Sequence, residues 1–260
     1  TVSKKKMEKN NGDELHAFED LVQDQIDSFD KHNYGYINDQ VIKHRDLIRM
    51  LLMKQDAFLT ENNKIDLFTD GHKLYEKVLE DIYNAQDYIH LEYYTFELDG
   101  LGKRILDALE TKLKEGLEVK LLYDDVGSKK VRLSKFKHFR ALGGEVEAFF
   151  PSKVPLINFR MNNRNHRKII IIDGQIGYVG GFNVGDDYLG LGKLGYWRDT
   201  HTRVQGECID ALQLRFILDW NSQSHRPQFK FDQKYFPKKN GDKGNAAIQI
   251  ASSGPAFDLH

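Results

Sequence analysis

His166-Arg167-Lys168-Ile169-Ile170-Ile171-Ile172-Asp173-Gly174 is the stretch whose reading decides the fold. Lys168 to Ile172 and Gln175 to Val179 flank Asp173-Gly174, and two β-rich runs around Asp-Gly predict a hairpin with a two-residue turn. Gly180-Gly181-Phe182-Asn183 closes it. Strand side chains alternate faces, so His166 and Lys168 point the same way. A proton shuttle or nucleophile beside a fixed cation suits phosphoryl chemistry.

Upstream of the hairpin the pattern is α/β. Lys64 to Phe68, Ile89 to Phe96, Val119 to Tyr123 and Val146 to Phe150 read as strands, with Asp70-Gly71 as a turn. Leu74, Val78, Leu79 and Ile82, then Ile105, Leu106, Leu109 and Leu113, mark helices between them. A basic helix is expected up to Leu142. Strands alternating with helices imply an α/β fold, a mixed and largely parallel sheet sandwiched by helices. Sites in such sheets gather outside the strand ends. Downstream, Thr202 to Val204 reads as a strand, Ile209 to Trp220 as a helix and Ala247 to Ala251 as a closing strand.

Ahead of all this lies a short helical segment. Leu15, Phe18, Val22, Ile26 and Phe29 recur at helical spacing, and a second helix runs from about Asn38 to Leu52. It is either a membrane-facing or linking element or a helical pair packed on the main domain. The expected organisation is a helical segment over 1–60, a catalytic domain over 61–224, and a linker with the start of a further unit over 225–260.

The 260 residues carry a net charge of -1, which argues against a generic nucleic-acid binder. Cys208 is the single cysteine, which excludes an internal disulfide and suggests a reducing compartment. No apolar run approaches the roughly 18 residues of a membrane span. The chain opens on Thr, so an excised fragment is expected.

Charge is uneven along the chain. Between Glu147 and Asp173 there is no acid, while Lys153, Arg160, Arg164, Arg167 and Lys168 are interleaved with Leu156, Ile157, Phe159 and Met161. A basic loop bearing apolar residues suits an anionic membrane surface, or else buries its apolar side chains and solvates its charges. Lys153, Leu156, Ile157, Phe159, Arg160, Met161 and Arg164 are the candidate membrane contacts. A nucleophilic histidine also needs a partner on its second nitrogen. Asp199 is the leading candidate and Glu92 the weaker one. Asn183 follows two glycines, where backbone comes close to a ligand, and its amide could donate to phosphate. Asp173 begins the turn and faces away from His166 on an extended strand, so its direct part is to hold the hairpin.

These residues resemble the phospholipase D superfamily. Its His-x-Lys-x4-Asp motif matches His166, Lys168 and Asp173, and Gly-Gly-x-Asn matches Gly180, Gly181 and Asn183. Within it, the bacterial cardiolipin synthase subgroup is similar in Ile89-His90-Leu91-Glu92-Tyr93-Tyr94, Leu122-Tyr123-Asp124-x-x-Gly127-Ser128, Trp197-Arg198-Asp199-Thr200-His201 and Ser253-Gly254-Pro255. The resemblance implies His166, Lys168 and Asp173 as catalytic residues. Asn183 would bind substrate phosphate and Asp199 would orient the ring. It implies transfer of a phosphatidyl group between two phosphatidylglycerol molecules through a phosphohistidine, with no metal and no cofactor. No second His-x-Lys-x4-Asp occurs in these residues. The chain is therefore expected to hold half an active site and to need a second half or a second copy, on the cytoplasmic face of the cell membrane. Two other readings stand beside this one. One is a single-motif phosphodiesterase or nuclease acting as a homodimer, and the other is a catalytically dead membrane-binding domain.

Overall fold

The computed structural model describes residues 12–31, 39–149, 165–193, 195–223, 229, 232–240 and 244–252. The candidate membrane contacts Lys153, Leu156, Ile157, Phe159, Arg160, Met161 and Arg164, and the Ser253-Gly254-Pro255 motif, lie outside the described residues.

Among the described residues, seven helices surround one eight-stranded sheet. In chain order they are α1 (Gly12–Asp30), α2 (Asp39–Lys43), α3 (Arg45–Gln55), β1 (Leu59–Asp70), α4 (Gly71–Asn84), β2 (Tyr88–Tyr93), α5 (Gly100–Lys114) and β3 (Glu118–Asp124). Then follow α6 (Lys137–Ala141), β4 (Glu145–Phe149), β5 (Lys168–Ile172), β6 (Ile176–Gly180), β7 (Arg198–Gln205), α7 (Cys208–Gln223) and β8 (Ala246–Gln249). The strand order is β4-β3-β2-β5-β6-β7-β1-β8.

The sheet is mixed, as expected, but its parallel part is confined to β2, β3 and β4, which are joined through helices. Every other pairing is antiparallel, so "largely parallel" describes only one side of the sheet. The reason lies in the connections. β5 and β6 are joined by a turn too short for a crossover, and β1 and β8 come from distant parts of the chain to fill the far edge.

The hairpin forms where Asp-Gly demands it. Asp173 and Gly174 both take positive φ, 53° and 60°, the backbone these two residues tolerate best. The expected two-residue turn is one residue longer, because Ile172 pairs with Ile176 and leaves 173–175 outside the ladder. The Gln175 side chain anchors that extra residue, donating to Lys238 O at 3.0 Å and accepting from Asn240 N at 2.8 Å.

Two cores flank the sheet. Leu74, Val78 and Ile82 of α4 and Ile105 and Leu109 of α5 cover Leu91, Tyr93, Ile170 and Ile172. Ile209, Leu212, Phe216 and Trp220 of α7 cover Leu122, Ile169, Ile171 and Val204 on the other face. All four isoleucines of β5 are therefore buried, each worth about 1.5–3 kcal/mol by area, an upper bound. A third cluster joins Val22 of α1 and Ile48 and Leu52 of α3 to Phe58, Leu59 and Ala211. The Gln25 side chain holds both the N–H and the C=O of Leu59 at 2.8 Å. The helical segment thus packs on the domain, and its second helix is broken at His44.

Three local expectations change. Asp70-Gly71 is not a free turn: Asp70 caps α4 by accepting from Lys73 N at 3.1 Å. The basic helix shrinks to one 3-10 turn, Leu133–Phe136, and the short α6. β8 is the sheet's edge strand on β1, its Gln249 side chain reaching Ile48 O at 3.0 Å and Ala57 O at 2.7 Å.

Candidate active site

Lys168 opens β5 opposite Tyr93, Val179 ends the β6 pairing opposite Ile169, and His201 of β7 lies opposite Gly180. These positions fall on one edge of the sheet, the edge at which β2, β3 and β4 also end. His166 and Lys168 stand there, as a strand-end site requires.

His166 is exposed and its ring lies 4.6 Å from that of Tyr94, centroid to centroid. Lys168 is 2% exposed; its Nζ donates to the carbonyl of His166 at 2.7 Å and lies 5.2 Å from the Tyr94 ring centroid. The lysine is thus tied to the backbone of its own neighbour. Burial pushes Lys168 down to about 8, while Asp199 and Asp124 pull it up. Burial, then the Lys168 charge, lowers His166, with Asp124 and Asp199 opposing. At neutral pH this favours a neutral imidazole beside a protonated lysine. That is the pairing a nucleophile and a phosphate cation require.

Asp124 was not singled out from the sequence. Its Oδ1 accepts from Val126 N and Gly127 N at 2.9 Å each, and its Oδ2 accepts from Asn165 N at 3.1 Å. It therefore charges the site and clamps the residue before His166. Tyr94 was likewise missed, although it continues the aromatic run of β2.

Asn183 is buried. Its Oδ1 accepts from Thr95 N at 2.9 Å, and its Nδ2 donates to Tyr188 Oη at 2.7 Å, leaving one amide hydrogen for a ligand. Tyr75 Oη donates to its carbonyl at 2.6 Å. Asp199 accepts from Thr200 N at 2.7 Å and acts on His166 through its charge. The glycines before Asn183 make room for protein rather than for a ligand. A Cβ on Gly181 would sit 2.0 Å from Asp199 Oδ1, and one on Gly180 would sit 2.4 Å from His201 Cα.

Two candidates lie elsewhere. Asp173 is at the opposite end of β5, roughly 20 Å away at about 3.3 Å per residue. It accepts from Gln86 N at 2.8 Å, Asp87 N at 2.8 Å and Tyr88 N at 3.0 Å. Its motif position is catalytic in name, but its contacts are those of a brace between the hairpin and β2. Glu92 faces α7, not the His166 ring. Its Oε1 accepts from Asn165 Nδ2, so it reaches the site only through the neighbour of His166. Alternation along β2, with His90 and Glu92 polar among Ile89, Leu91 and Tyr93, was the available signal.

His201 is buried, and among the described residues neither ring nitrogen has a hydrogen-bond partner; burial pushes it down to about 3, keeping it neutral. Among the described residues no group of three His, Cys, Asp or Glu stands ready to hold a metal, and no helix is long and apolar enough to cross a membrane.

Residues 78–192 match the family described as cardiolipin synthase, PLD-like domain. Over these residues the chain is similar to cardiolipin synthases that carry a PLD-like domain. It is 99% identical over its 260 residues to Cardiolipin synthase 1 of Staphylococcus epidermidis, and 74% identical over the same span to Cardiolipin synthase 1 of Staphylococcus aureus. In both cases the match covers 53% of the relative, so the chain spans about half the length of these curated relatives. Among solved structures, NucT from Helicobacter pylori overlaps 62% of this chain and 98% of its own at 15% identity and a TM-score of 0.48, a likeness too loose to argue from.

Proposed function

We propose that this chain supplies one half of the active site of a phosphatidyl transferase that makes cardiolipin. The observation that carries the reading is the pairing at the sheet edge. His166 is exposed and favoured neutral, and Lys168 is buried and tied to the His166 carbonyl. The imidazole attacks the phosphorus of phosphatidylglycerol, and the P–O bond to the headgroup glycerol breaks. The glycerol leaves with a proton from an acid that this half does not supply. The headgroup hydroxyl of a second phosphatidylglycerol then attacks the phosphohistidine. Its proton returns to the acid, the P–N bond breaks, and cardiolipin is released.

Each residue has a part. Lys168 neutralises the non-bridging oxygens, where charge changes in the transition state. The free amide hydrogen of Asn183 adds a donor, and Asp199 favours the imidazolium-like state through its charge. The acid comes from a second His-x-Lys-x4-Asp half or from a second copy. The segment 150–164 bridges Phe149 and Asn165, both at this edge, which suits a basic, apolar loop that meets anionic lipid beside the phosphate site. The protein would then work at the cytoplasmic face of the membrane.

The test uses full-length protein and phosphatidylglycerol labelled in its phosphate. Acid quenching should trap label on the chain, and His166→Ala should abolish both the label and cardiolipin formation. Cardiolipin formed at the normal rate by His166→Ala would sink the proposal. A parallel arm with single-stranded nucleic acid as substrate separates the phosphodiesterase reading.

A further inference from the structure

Glu92 is an expensive residue where it stands. It is 1% exposed in the middle of a sheet, with Oε1 held by Asn165 and its carboxyl set against that of Asp219. An apolar side chain would fill the position at no desolvation cost. Its environment is also unusual. Burial, then the adjoining Asp219 carboxylate, pushes its carboxyl well above the usual range, with Arg167 and Asn165 pulling back.

The contacts around it converge on His166. Asn165 precedes the histidine and Arg167 follows it, and alternation sends both toward the α7 face while His166 and Lys168 take the other. Asn165 is held three ways. Its amide N–H goes to Asp124 Oδ2, its Nδ2 to Glu92 Oε1, and its Oδ1 accepts from Arg167 N at 3.2 Å and Nη1 at 3.4 Å. Arg167 Nη1 also meets Asp219 Oδ2 at 3.0 Å, and Arg215 braces Asp219 from the next turn of α7. Both neighbours of the nucleophile are thus pinned from beneath by one buried polar network. Such a network rigidifies what it holds only when every member keeps its partner.

We propose that Glu92 is a positioning residue, which fixes the backbone carrying His166 and Lys168 by gripping the Asn165 side chain from the opposite face of the sheet. The proposal rests on His166 being the nucleophile. Its action is through two contacts of its carboxyl: Oε1 accepts from Asn165, and the group also meets the Asp219 carboxylate. An amide of the same shape can make both contacts, whereas a methyl group makes neither.

The experiment is steady-state kinetics of full-length enzyme on phosphatidylglycerol with Glu92→Gln, Glu92→Ala, Asn165→Ala and the Glu92→Ala/Asn165→Ala pair, beside His166→Ala. Glu92→Gln is expected within about threefold of the parent. Glu92→Ala and Asn165→Ala are each expected to lose about tenfold to a hundredfold in kcat with KM within about twofold, as for misplacement of a reacting group. The double variant should be no worse than the poorer single one. If Glu92→Ala does not fold, Asn165→Ala and Glu92→Gln carry the test. A parent-like kcat in Asn165→Ala or in folded Glu92→Ala overturns the proposal. So does a loss confined to KM, a Gln variant that falls more than tenfold, or a double variant at the product of the single losses. Activity retained by His166→Ala would instead overturn the functional reading, so the two failures are distinguishable.

Discussion

The two ends of β5 carry the same sequence motif and are built on opposite rules. At one end, Asp173 has three backbone amides around its carboxylate and a turn that its own φ defines. At the other, among the described residues no hydrogen bond reaches the His166 imidazole, and Lys168 donates to a carbonyl and lies against an aromatic ring, with Asp199 and Asp124 acting on it through charge. Satisfied polar groups stabilise, and groups left open near a surface are available to react. The motif therefore joins an open, reactive-looking end to a braced one, and proximity in sequence does not distinguish them.

The comparison can be broken, and the sharpest attack is on the reactive end. His166→Ala in full-length protein should lower cardiolipin formation by at least about four orders of magnitude while leaving the melting temperature within a few degrees. A large drop in melting temperature would mean that this end, too, is structural.

Next in size is Gly181→Ala. The new Cβ would meet the Asp199 carboxylate at 2.0 Å, and that acid must move. A loss of about a hundredfold in kcat is expected, with Asp199→Asn showing a similar loss through the missing charge. Unchanged kinetics in both would remove Asp199 from the site.

Asp173→Ala tests the other end. Losing three amide contacts and placing alanine at positive φ should cost about 2–4 kcal/mol by denaturant melts, with the activity of the folded fraction unchanged. Activity lost at full stability would return Asp173 to the chemistry.

The smallest effect is a shift in pH dependence. On the proposed mechanism His166 must be neutral to attack, and its pKa is lowered, so the rising limb of kcat/KM should fall below the ordinary histidine range. Lys168 must be charged, and at about 8 it loses its proton as pH rises, so the falling limb should lie near that value. Lys168→Arg should move the falling limb upward, even if its rate is lower. A falling limb that ignores this change belongs to another group.

Much of this was legible in the chain. The Asp-Gly turn, the shared face of His166 and Lys168, and the strand–helix alternation up to β4 are local patterns, and local patterns survive folding. What could not be read is non-local. β2 lies between β3 and β5, and only that order brings Asp124 and Tyr94 beside His166. The antiparallel half of the sheet depends on β1 and β8 returning from far along the chain, which no short window records. Glu92 is the instructive case. Its parity places it on the face away from Lys168's partner Tyr93, yet its chemistry invited pairing with the imidazole; in the structure its bond goes to Asn165, the residue before that histidine.

The close fit of Gly181 against Asp199 also constrains descent. Position 181 cannot acquire a side chain while position 199 keeps its acid where it stands, and either change made alone is damaging. Across the relatives of this chain the two positions should vary together or not at all, although they lie eighteen positions apart in sequence.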